Sequence, residues 1–124
     1  MKDKQELVRL SFDICEKTFG SGDDLQAFES FFRFSRGFAS TLSGSGDKFF
    51  ECVNYCRDNP EASSLYLGKS GKNAAGAIRR WANGILSKEE LKELSPDELA
   101  YVFGCCARIC KSAVPYQNDK FRRN

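Results

Sequence analysis

The sequence predicts an all-α protein: a compact single-domain bundle of about five to seven helices. Three observations lead there. Apolar residues recur at a helical period along the whole chain of 124 residues, with no alternating strand pattern. The apolar fraction is 41% with 11 Phe, enough for a core in a domain of this size. Glycine, proline and capping residues punctuate the periodic stretches where helices should begin and end.

The first helix is expected over residues 3–19, with Leu7, Val8, Ile14, Cys15 and Phe19 inward, stopping at Gly20-Ser21-Gly22. Asp23 is an expected N-cap for a second helix to about Leu42, burying Leu25, Phe28, Phe31, Phe32, Ala39 and Leu42. Ser43-Gly44-Ser45-Gly46 reads as a connector, and Asp47 as the cap of a third helix carrying Phe49, Cys52, Val53 and Cys56. Pro60 suits a first helical turn and starts a short helix to Leu67.

After a basic loop at Gly68–Gly71, Asn73 opens a helix with Ala74, Ala77, Ile78, Trp81 and Ile85 inward, and Asn83-Gly84 reads as its stop. Ser87 with Glu90, and Ser95 with Glu98, both fit capping boxes, the second reinforced by Pro96. The last helix should bury Leu99, Val102, Phe103, Cys106, Cys110 and Ala113 and end at Pro115. The expected organisation is a helical domain over 1–115 and a flexible basic tail over 116–124, with Lys120, Arg122 and Arg123.

Charge is unevenly distributed. Residues 1–61 sum to −3 and residues 62–124 to +5. Within 62–88 five basic side chains, Lys69, Lys72, Arg79, Arg80 and Lys88, occur without one acid. Such a stretch is the footprint of a surface for a polyanion or an acidic partner. The sequence AAGA over 74–77 presents small residues at the start of the same helix, where a phosphate backbone can approach closely. Lys and Arg there neutralise phosphates without reading bases. The competing reading is a solvated helix face whose alanines pack on a neighbour.

The chain has no histidine, which removes Ser–His and Cys–His catalysis and His-ligated zinc. The expectation is a protein that is not an enzyme and uses no cofactor or metal. Gly68-Lys69-Ser70 is not a phosphate loop, because Ser63 stands where its first glycine belongs; for Gly71-Lys72 that place holds Tyr66. Arg36-Gly37-Phe38-Ala39 opens like an RNA-recognition strand signature. Ser40 follows where an aromatic should, and the context is helical, so the favoured reading of the Phe-rich 31–40 stretch is core. Phe in excess of one stripe is also a candidate protein contact.

Six cysteines include two C-x3-C pairs, Cys52/Cys56 and Cys106/Cys110. Partners at i,i+4 stand roughly 6 Å apart at Cβ, beyond the roughly 3.5–4.5 Å of a disulfide. Neither pair should close on itself. Facing helices could still bring four thiols together, but buried thiols are the expectation. Glu89, Glu90, Glu93, Asp97 and Glu98 are read as helix-start acids.

In size, helical class and charge the chain is similar to the small helical subunits of RNA-guided CRISPR effector complexes. The resemblance implies a subunit that binds nucleic acid within a larger assembly. The expected function is therefore non-enzymatic binding of a nucleic-acid backbone, more readily RNA, with other protein subunits as partners. The alternatives are an adaptor using the basic face and surplus Phe, and a Cys-pair metal or thiol-redox protein. No apolar run approaches the roughly 20 residues of a membrane span. The charged N-terminus lacks a signal-peptide core, so the expected location is cytoplasmic.

Overall fold

A computed structural model describes residues 3–19, 25–41, 46–67 and 74–122. Among them the elements are α1 (Lys4–Thr18), α2 (Leu25–Thr41), α3 (Gly46–Asp58), α4 (Pro60–Leu67), α5 (Ala74–Leu86), a 3-10 segment (Glu89–Glu93) and α6 (Pro96–Arg122). The expected all-α bundle is what forms. The Gly20–Gly22 stop, the Asp23 cap, Leu42, the connector at 43–45, the basic loop at Gly68–Gly71 and Asn73 lie outside the described residues.

α5 and α6 are the two hubs of the bundle. α6 packs along α2 and α1, while α5 is contacted by α1, α3, α4 and, more briefly, α2. α1 and α2 thus each touch both hubs. The core between them holds Leu10, Ile14, Phe28, Phe31, Phe32, Ile78, Trp81, Ile85, Leu91, Leu99, Val102 and Phe103. Each large apolar side chain taken fully from water favours folding by about 1.5–3 kcal/mol. Aromatic rings link the helices. Phe31 stands 6.0 Å from Trp81, and Phe49 of α3 stands 5.2 Å from Phe103 of α6. The indole N–H of buried Trp81 donates to Ser35 Oγ at 3.1 Å, and that hydroxyl donates on to the Phe31 carbonyl at 2.8 Å. Both buried polar groups are thereby satisfied.

Local capping follows the sequence at two places. Asp3 caps α1, its carboxylate accepting from the Glu6 N–H at 2.9 Å. Ser95 and Glu98 form the reciprocal box of α6: the Glu98 N–H donates to Ser95 Oγ at 3.2 Å and the Ser95 N–H to Glu98 Oε1 at 3.0 Å.

Four boundaries differ from the sequence reading. Ser87 does not cap the segment after it; its hydroxyl donates back to the Gly84 carbonyl at 2.8 Å, and Lys88 precedes the 3-10 segment without a side-chain cap. α3 begins at Gly46, which puts Asp47 inside its first turn. Asn83-Gly84 does not stop α5, which continues to Leu86. A Cβ on Gly84 would overlap Thr18 Oγ1 of α1 and stand 3.3 Å from the Ile14 carbonyl. The glycine is there because α1 crosses at that point, and the helix accepts its propensity cost. Finally, α6 runs through Pro115 to Arg122 rather than ending there. Proline removes only its own N–H bond and strains the turn before it, and a 27-residue helix continues past that defect.

Candidate nucleic-acid interface

Arg79 and Arg80 are both exposed on α5, as are Gly76 and Asn83. At 3.6 residues per turn, positions 76, 79, 80 and 83 form one continuous face. That face is set by the opposite stripe, since Ile78, Trp81, Ala82 and Ile85 are all buried. A Cβ added at Gly76 would meet nothing within 4 Å. The backbone beside the two guanidiniums is therefore open to approach from outside. Ala75 and Ala77 are half-buried, so the small residues at the start of α5 serve both readings: some pack inward and Gly76 lies bare.

The remaining members of the basic stretch divide. Lys69 and Lys72 lie outside the described residues. Lys88 is half-buried beyond the end of α5, and its Nζ lies 3.4 Å from Asp13 Oδ2 of α1. Its charge is already matched within the chain. The structure thus brings Arg79 and Arg80 together with Gly76 and Asn83, and places Lys88 in a link between α5 and α1.

Surplus Phe turns inward. Phe34 and Phe38 stack at 5.6 Å and pack on the core, with Phe38 6.2 Å from Phe49. The 31–40 stretch is helical and its phenylalanines lie in or against the core, while Arg36 stands exposed on it. Among the described residues the exposed large aromatics are Phe12, Tyr55 and Tyr101. Tyr101 shares a cleft with Arg36 and Arg108, a grouping that sequence inspection did not single out because its members belong to different helices.

The two C-x3-C pairs do not meet. Cys106 and Cys110 face Cys15 of α1, whose thiol donates to the Cys106 carbonyl at 3.8 Å, while the Cys106 thiol donates to the Ser11 carbonyl at 3.6 Å. Hydrogen bonding with Cys106 and burial push the Cys15 thiol well above its ordinary pKa. Hydrogen bonding with Cys15 and burial do the same to Cys110. These two are neutral thiols at physiological pH, poor as ligands or nucleophiles. Cys52 and Cys56 face each other on α3. The pair shares a proton: Cys52 is raised, and its hydrogen bond draws Cys56 down to about 6. The Ser63 hydroxyl also lies near Cys56, but its one proton goes to the Asn59 carbonyl at 2.9 Å, leaving Cys52 as the effective donor. Among the described residues no three His, Cys, Asp or Glu side chains are placed to hold a metal ion. Nor is any described helix long and apolar enough to cross a membrane.

No protein-family model matches the chain, and neither does any curated protein or solved structure.

Proposed function

We propose that this chain is a non-enzymatic helical subunit that binds a nucleic-acid backbone, more readily RNA, as part of a larger assembly in the cytoplasm. The observation that carries the reading is the α5 face, where Arg79 and Arg80 flank the bare backbone at Gly76. Arginine meets phosphate through a planar fork of donors, and an open glycine lets the phosphate come close. The contacts are with phosphates, so binding should vary little with base sequence. Six free thiols support a reducing compartment.

The test is the charge reversal Arg79→Glu/Arg80→Glu. Binding to single-stranded RNA should be lost, while the helical spectrum and melting temperature stay nearly unchanged, because exposed charges contribute little to folding. Neutralising each arginine singly should lower the slope of log affinity against log salt by about 0.7 on single strands. The same reversal in the native complex covers a subunit that binds only when assembled. A wild-type chain without affinity for nucleic acid at low salt, alone and in its complex, would assign this face to an acidic protein partner instead.

A further inference from the structure

The cleft between α2 and α6 has a volume of about 320 Å³, near the lower end of small-ligand sites. Arg36 comes from α2, and Arg108, Tyr101, Asp97 and Cys105 come from α6. Its floor is Gly104. A Cβ there would stand 3.3 Å from Arg36 Cδ and 3.9 Å from its Nη1, so the arginine stem lies across the bare helix at that point. Both arginines are exposed, and among the described residues neither is engaged in an ion pair. The contrast with Arg33, three positions before Arg36 and 3.7 Å from Glu29, is informative: α2 neutralises one arginine and leaves its neighbour on the cleft unmatched.

We propose that this cleft binds one nucleotide unit. The two guanidiniums take its phosphate, since paired forks match phosphate oxygens. Tyr101, 38% exposed in the same wall, offers a ring on which a base stacks, as aromatic side chains do in single-strand binding. Asp97 supplies a carboxylate acceptor for a sugar hydroxyl or a base N–H. Phosphate, planar ring and hydrogen-bond donor together describe a nucleotide better than a bare anion, which would leave the ring and the carboxylate without a role. The same unit can come as a free nucleotide or as part of a strand. The inference rests on the function proposed above for its ligand class only; it uses none of the α5 residues.

Cys105 makes occupancy measurable, because it is half-buried in the cleft wall. Alkylation of Cys105, followed by peptide mass spectrometry, should slow on adding oligouridylate, with the rate at half-buried Cys52 unchanged. Protection by uridine monophosphate as well identifies a free-nucleotide site; protection by the oligomer alone identifies a strand site. Arg36→Gln/Arg108→Gln should abolish protection, weaken oligomer binding about tenfold and lower its salt slope by about 1.4. Tyr101→Ala should weaken binding with the slope retained, and Tyr101→Phe should restore it.

The proposal falls if Cys105 reacts at its free rate while oligouridylate is saturating, or if an acidic peptide protects it and nucleotides do not. Protection by oligouridylate at unchanged affinity in Arg79→Glu/Arg80→Glu sustains the cleft and removes the α5 reading. Binding abolished by that reversal, in a wild type whose Cys105 is never protected, does the opposite. A wild type that binds no nucleotide or oligonucleotide overturns both.

Discussion

Gly76 and Gly84 sit about two turns apart on the same helix and answer to different constraints. At Gly84 a methyl group has nowhere to go, because Thr18 and the Ile14 carbonyl of α1 occupy the space. At Gly76 there is nothing within 4 Å of the missing Cβ. Interior glycine costs a helix about 1 kcal/mol relative to alanine wherever it stands. At position 84 the close crossing of α1 offsets that cost. At position 76 no contact among the described residues does so. One helix therefore shows a glycine that its packing requires and a glycine that its described packing does not require.

The largest expected effect tests the packed end. Gly84→Ala should destabilise the protein by about 1–3 kcal/mol through overpacking, measured by equilibrium urea denaturation. Part of the loss should be recovered in Thr18→Ala/Gly84→Ala, because the overlapping hydroxyl is then gone. That coupling should appear as a double mutant less destabilised than the sum of its singles. A neutral Gly84→Ala would mean that α1 and α5 do not approach this closely.

Position 84 also shows where sequence reasoning stops. Asn83-Gly84 has the chemistry of a helix stop, and nothing local distinguishes that from a crossing point; the deciding atoms belong to α1. Lys88 is the same lesson in charge. The acid-free stretch groups it with Arg79 and Arg80, yet its partner Asp13 lies 75 positions away in sequence. The role of Ser35 depends on Trp81, 46 positions on, so no local pattern marks it. The Arg36–Tyr101–Arg108 cleft was invisible for the same reason. By contrast the stripes of Phe28, Phe31 and Phe32, or of Val102, Phe103 and Cys106, were legible from period alone, and those residues are buried.

A middle-sized effect tests the most local of the sequence signals. In the Ser95–Glu98 box both partners are separated by a single turn and both bonds form. Ser95→Ala should cost about 1 kcal/mol, without altering the α5 face or its binding. A loss much greater than that would show that the start of α6 is held by something beyond its cap.

The smallest effect tests the open end of the comparison, and it does so with two readouts of opposite sign. Gly76→Ala fits the space available and should improve helix propensity, raising stability by about 0.5–1 kcal/mol. If the bare backbone admits a phosphate between Arg79 and Arg80, the same methyl should weaken RNA binding a few-fold, since it displaces the phosphate outward while leaving both guanidiniums in place. The salt slope should stay constant, because the number of charge contacts does not change. A substitution that stabilises the fold and weakens binding cannot be explained by damage to the protein. Were stability to rise with affinity untouched, the arginines would be reaching the ligand by their own length, and Gly76 would take no part in the contact.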